Sequence, residues 1–207
     1  MEKIVSIRKK RKGIEVTLEG GSILSLDMET AATANLKSGQ SLSREQRAEL
    51  SAESGYKTCY DAALHFLSFR QRSEKELKSH LIFKRGFKEE EVQHVVDKLR
   101  KLKLLDDEAF AEQWKNDRVR FKPKSRIMIQ RELIQKGVNA HTIQYVTQTI
   151  DDEANAYNAG LKKAGQLRSQ GYKEFYRKMS GYLGRRGYSS DVVYAVVARL
   201  WKSLNKK

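Results

Sequence analysis

Three glycines, Gly86, Gly137 and Gly187, lie 51 and 50 residues apart, and the apolar pattern after each is the same. Positions +1, +6, +9 and +13 read Phe87, Val92, Val95 and Leu99, then Val138, Ile143, Val146 and Ile150, then Tyr188, Val193, Val196 and Leu200. No position in that grid is polar. Self-similarity at a fixed period marks a repeat protein, here with a unit of about fifty residues. Such chains bind along extended surfaces and seldom enclose a deep catalytic pocket.

Each repeat reads as three helices. In the first, a helix near 58–70 places Ala62, Phe66 and Phe69 on one side. Ser73-Glu74-Lys75-Glu76 is a capping box for the second helix, which turns Leu77 and Leu81 inward and ends at Gly86; residues 88–100 form the third. In the second repeat Phe110, Trp114 and Phe121 share a helical face, Pro123 stops that helix, Ser125 caps the next, and Ile129 and Leu133 face inward as far as Gly137. In the third, Tyr157, Leu161, Ala164 and Arg168 share a face, Gly171 marks the break, and Met179 and Leu183 lead to Gly187. One position departs from the pattern. At −8 from the glycine, Ile129 and Met179 correspond to Lys78, so the first repeat must use Leu77, a one-residue change in helix phase.

Glycine at the three breaks follows from backbone sterics, because a helix that turns sharply often ends at positive φ, where a β-carbon is unfavourable. Lys84-Arg85, Lys136 and Arg185-Arg186 precede these glycines and complement the helix C-terminal dipole. Part of the chain's basicity is therefore a matter of helix ends.

The first thirty residues alternate with period two. Runs at 4–7, 14–18 and 23–26, divided by Gly13 and by Gly20-Gly21, predict a small β-meander with the glycine pair as a hairpin turn. Asp27 is positioned to cap a helix over 28–36, ended by Gly39, and Ser43-Arg44-Glu45-Gln46 opens another, with a possible break at Gly55. The expected architecture is mainly α: a β-rich N-terminal extension over 1–54, then repeats over 55–105, 106–152 and 153–207.

Net charge is +15, which points to a polyanionic partner. Its distribution is uneven: residues 153–207 carry 12 basic and 3 acidic side chains, whereas 106–152 carry 8 of each. Cys59 is the only cysteine, which rules out an intrachain disulfide and fits a reducing cytoplasm. No apolar run approaches the ~18 residues of a membrane span, and Met1 to Lys12 lack the apolar stretch of a signal peptide.

Signals for chemistry are weak throughout. Asp106-Asp107-Glu108 recurs as Asp151-Asp152-Glu153; carboxylates in such places cap helix starts, and no His or Cys lies near enough to complete a metal site. His65, His80, His94 and His141 show no metal-ligand spacing, Cys59 lies on an apolar face, and Gly20-Gly21 lacks the residues of a phosphate loop. A non-enzyme without metal or cofactor is expected. The basic clusters are the better candidates: Arg70 and Arg72 at the first break, Arg118, Arg120, Lys122, Lys124 and Arg126 at the second, Lys173, Arg177 and Lys178 at the third. Equivalent loops of stacked repeats tend to share a face, which would align them as one stripe; the bland alternative is solvated charge around the helices. Phe121, Tyr172, Phe175 and Tyr176 lie among these charges, where a base could stack, although core packing accounts for most such aromatics.

Several stretches together resemble the RecX family of bacterial recombination regulators. They are Arg72-Ser73-Glu74-Lys75-Glu76-Leu77, Lys84-Arg85-Gly86-Phe87, Leu104-Leu105-Asp106-Asp107 with Phe110, Lys124-Ser125-Arg126-Ile127, Arg131 to Gly137, and Arg185-Arg186-Gly187-Tyr188. Each is weak alone; their order and spacing across 57–202 are specific. The resemblance implies a curved, elongated array of three-helix repeats. It also implies binding to the RecA–DNA filament, limiting recombinase and co-protease activity in recombination, repair and the SOS response, with no catalytic residues. Phosphate contacts would supply affinity without sequence information. Reversing the charges of Arg118, Arg120 and Lys124 is then expected to weaken filament inhibition more than folding. The competing reading is a general single-stranded nucleic-acid-binding helical repeat without a dedicated protein partner. No heptad seam for a coiled-coil dimer is present, and a monomer is expected.

Overall fold

The computed structural model describes residues 1–11 and 13–205; Lys12, and the Lys206 and Lys207 that close the third expected repeat, lie outside the described residues. The chain divides into two units, Met1–Leu105 and Asp106–Lys207. No helix among the described residues is long and apolar enough to cross a membrane.

The first unit opens with a four-stranded antiparallel sheet of β1 (Glu2–Lys10), β2 (Gly13–Leu18), β3 (Ile23–Leu26) and β4 (Ser41–Leu42), in the order β3-β2-β1-β4. The three alternating runs form strands as expected, and Gly21 turns between β2 and β3 at φ +78°. Strand β4 is an addition: two residues are too few for any periodicity to show. Ile4, Val16, Leu18, Leu26 and Leu42 make the sheet's buried face. Helix α1 (Met28–Thr33) is capped by Asp27, which accepts from the N–H groups of Glu29 and Thr30. It stops short of the expected end because Asn35 leaves the helical region at φ 45°.

Helix α2 (Arg44–Ser68) carries the capping box expected at Ser43 and Gln46, but the possible break at Gly55 does not occur. A β-carbon on Gly55 would sit 2.3 Å from Glu91 Oε1, so this glycine serves close packing, not a turn. One end of α2 meets the extension, where Ser54 Oγ accepts from the Asp27 N–H; the other contributes Cys59 and Ala63 to the core of repeat 1. Extension and first repeat thus share one helix.

The second helix of repeat 1 begins as α3 (Glu74–Ser79), capped by Ser73, and finishes in a π turn over His80–Lys84. A π turn holds one more residue than an α turn. Leu77 and Leu81 sit at −9 and −5 from Gly86, whereas Ile129 and Leu133, and Met179 and Leu183, sit at −8 and −4 from their glycines. All six are fully buried. The π turn absorbs the inserted residue and restores the phase. Helix α4 (Glu89–Lys101) completes the repeat.

The second unit holds α5 (Asp107–Phe121), α6 (Arg126–Gln135) and α7 (Ala140–Thr147), then α8 (Asp152–Gln166), α9 (Tyr172–Gly184) and α10 (Ser190–Asn205). The two acidic triplets open helices: Asp106 accepts from the N–H groups of Glu108 and Ala109, and Asp151 from that of Ala154. Gly86, Gly137 and Gly187 stand at φ 75°, 82° and 83°. Every position of the apolar grid is buried except Phe87, which is half-buried. Three aromatic or aliphatic side chains escape the face read for them: Phe69 is 68% exposed, Phe121 66% and Leu161 48%. Helix α8 instead turns Ala156, Gly160 and Ala164 inward, and a β-carbon on Gly160 would come 2.5 Å from Leu200 Cδ1. Small residues let α8 approach α10 closely, which leaves no room for Leu161 on that face.

Candidate nucleic-acid interface

In the first unit the two candidate arginines are held by neighbours. Arg70 forms a two-point contact with Glu76, both hydrogen bonds at 3.0 Å. Arg72 lies 4.2 Å from the Phe66 ring centroid, and Phe66 stacks on His80 with centroids 3.9 Å apart. Burial, and then Arg85, Arg72 and Lys84, hold the His80 pKa below its usual value. Cys59 is buried in the same repeat, and burial pushes its thiol up to about 12. A thiol so far from ionisation is inert packing.

In the second unit the cluster at the α5–α6 break splits in two. Glu132 gathers one part: its carboxylate accepts from Arg118 Nε at 2.6 Å, from Trp114 Nε1 at 2.8 Å, and from Lys124. Arg118 also lies 4.2 Å over the Trp114 ring. Burial acts to raise the Glu132 pKa, but the hydrogen bonds from Lys124, Arg118 and Trp114 together hold it below the usual value. Arg126 is engaged too, its backbone N–H donating to Asp152 and its guanidinium to the Ile150 carbonyl. At the third break Arg177 and Lys178 both grip Glu174, whose carboxyl they hold down at about 2. Lys173 is exposed at the start of α9.

Arg120, Lys122 and Lys124 line a groove of about 1000 Å³ between the end of α5 and helices α8 and α9. Lys162, Arg185 and Arg186 line its other side, and no carboxylate is among its described lining residues. None of Arg120, Lys122, Lys162, Arg185 and Arg186 pairs with a carboxylate among the described residues. A cleft walled by one sign of charge focuses its field and concentrates counter-ions of the other sign.

Local structure builds the groove's walls. Pro123 and the Ser125 cap end α5 and start α6, so 122–124 run as a short connection. That connection is tied to repeat 3 by a hydrogen bond from the Ser125 N–H to the Arg186 carbonyl at 3.0 Å. A β-carbon on Gly187 would lie 2.3 Å from Met128 Cγ and 2.7 Å from Ser125 Oγ, so this glycine serves both the turn and the junction. Arg186 stacks on Tyr182 at 3.7 Å, and the Tyr182 hydroxyl donates to the Ala159 carbonyl.

Lys162, Arg185 and Arg186 are absent from the sequence-derived candidates. The arginine pair was visible as a helix-end feature, but its place beside Lys162 and opposite Arg120 and Lys122 was not, because adjacency between repeats carries no periodic signal. Of the aromatics among the charges, Phe121 lines the groove and Tyr172 is 45% exposed, whereas Phe175 is fully buried.

Comparison with known proteins identifies the fold. Family models described as RecX first, second and third three-helix domains match residues 59–99, 106–146 and 151–197. A Regulatory protein RecX of Chlorobium limicola is 33% identical over 141 residues, covering 68% of this chain and 88% of that one. One of Clostridioides difficile is 25% identical over 201 residues, covering 96% and 94%. A solved structure described as regulatory protein RecX superposes with a TM-score of 0.66 at 23% identity, covering 95% of this chain and 98% of that one. RecX from Lactobacillus salivarius gives 0.62 at 22% identity, covering 70% and 96%. At those identities the two structures speak for the fold.

Proposed function

The chain belongs to the RecX family, and from that premise we propose that it is a non-catalytic cytoplasmic regulator that binds the RecA–DNA filament and limits its recombinase and co-protease activity. The observation that carries this reading is the groove between α5 and α8–α9, lined by six cations, of which only Lys124 is paired with a carboxylate among the described residues. Such a surface takes phosphates, and phosphate contacts position a protein on nucleic acid without reading sequence. The family supplies the regulatory role; the groove supplies a place for the polyanion. Arg70, Arg72, Arg118, Arg126, Arg177 and Lys178, held by internal partners, act as struts in this reading.

The test is a titration into preformed RecA–single-stranded-DNA filaments, following the RecA ATPase, with matched binding to naked DNA. Inhibition well below the concentration that saturates naked DNA is expected. Inhibition only where naked DNA is also saturated would favour a general nucleic-acid-binding repeat. Charge reversal at Arg118, Arg120 and Lys124 is a poor probe, because two of the three hold Glu132. Lys122→Gln, Lys162→Gln and Arg185→Gln remove charge from the groove without touching that carboxylate. The triple variant should fold normally and inhibit at least about tenfold less well, as the loss of several phosphate contacts requires.

A further inference from the structure

Phe121 is 66% exposed at the lip of the groove, with the Arg120 guanidinium 5.0 Å from its ring centroid. A large exposed ring costs hydration, and this one sits among cations where a flat π-face could be covered by a base. Val119 and Asn158 line both the groove and a neighbouring recess of about 360 Å³, whose other walls include Asn116, Asn155 and Thr149 together with Lys115 and Asp151. Asn155 is 5% exposed and its Nδ2 has no hydrogen-bond partner among the described residues. Cationic side chains and an open aromatic face therefore lie in one groove, with amide groups in the recess beside it.

We propose that this cleft takes an unpaired nucleic-acid strand, its phosphates among Lys162, Arg185 and Arg186 and a base stacked on Phe121. A base inside a duplex has both faces covered by its neighbours, so it has no face to offer the ring. Scale argues the same way: small-molecule clefts run about 300–1,000 Å³, which suits one or two splayed nucleotides. This inference rests on the functional reading above only in supposing a nucleic-acid ligand.

The experiment measures affinity of the full chain for a naked single-stranded oligonucleotide and for a blunt duplex of equal length. Phe121→Ala should weaken single-strand binding by about 5- to 100-fold, the effect of losing one stacked base, and leave duplex binding within about twofold. Phe121→Trp should retain single-strand binding and report it by fluorescence quenching. Equal loss on both ligands, or no loss on either, overturns the proposal, as does a wild type that prefers the duplex. Failure here leaves filament inhibition untouched, and absence of filament inhibition leaves the single-strand preference standing, so the two ideas fail separately.

Discussion

Glu132 shows how one residue decides what its neighbours are for. Its carboxylate collects Arg118, Lys124 and the Trp114 indole from α5 and the following connection, which stitches α5 to α6 across the break. Its pKa is held below the usual 4.5, so the folded state favours the ionised form. The stability it contributes is present above the ordinary glutamate pKa and is lost as pH falls through the lowered folded value. Glu132→Gln should therefore destabilise the protein at pH 7 by about 1.5–3 kcal/mol, the range for hydrogen bonds to a charged group. The gap from wild type should narrow as pH falls from about 4.5, where the unfolded carboxyl protonates, through the lowered folded value. Urea midpoints at pH 7 and near pH 3 check both parts; a gap that stays constant would place the effect in packing instead. Sequence shows that Arg118, Lys124 and Glu132 are charged. It does not show that they meet, because the contact spans a helix break whose geometry only the fold sets.

At the scale of elements the repeat was legible almost entirely, because it is written in two periodic signals, the apolar grid and the helix-end glycine. The phase slip at Lys78 was legible as well, and the π turn over His80–Lys84 gives its physical form. Deleting Phe83, which is 81% exposed, would convert the π turn to an α turn and bring Leu77 and Leu81 to the spacing of the other repeats. Such a deletion should cost no more than about 1 kcal/mol, whereas deleting Gln135 would rotate Ile129 and Leu133 out of the core and cost at least about 3 kcal/mol of lost burial. Thermal melting of the two deletions compares them directly; equal losses would refute the phase argument. The glycines make a second pair. Gly86→Ala and Gly187→Ala each place a β-carbon at positive φ, about 1 kcal/mol. Only the second also meets Met128 and the Ser125 cap, since nothing lies within 4 Å at Gly86. The Gly187 variant should melt clearly lower. Strand β4, the unbroken run of α2 through Gly55 and the exposure of Phe121 were not legible: they depend on length, on a neighbour's carboxylate and on a helix end, none of which is periodic.

Across the whole molecule a charge of +15 conceals two populations of cations. Some are struts, such as Arg70 on Glu76 and Arg177 with Lys178 on Glu174; their charge is already met within the chain. Others, such as Lys122, Lys162 and Arg185, face the groove with no carboxylate among its described walls. Counting charge by segment could not separate them, and in the cluster read at the third break, Lys173, Arg177 and Lys178, Glu174 neutralises much of the charge. The difference is measurable through salt. Each phosphate neutralised on a single strand contributes roughly 0.7 to the slope of log affinity against log salt. Removing Lys162 and Arg185 should therefore flatten that slope by about 1.4, while removing Arg177 and Lys178 should leave it nearly unchanged. The double variants carry the same net charge, so any difference between them reports placement alone. Equal slopes would mean that the chain's basicity acts as a diffuse field and that the groove has no special standing.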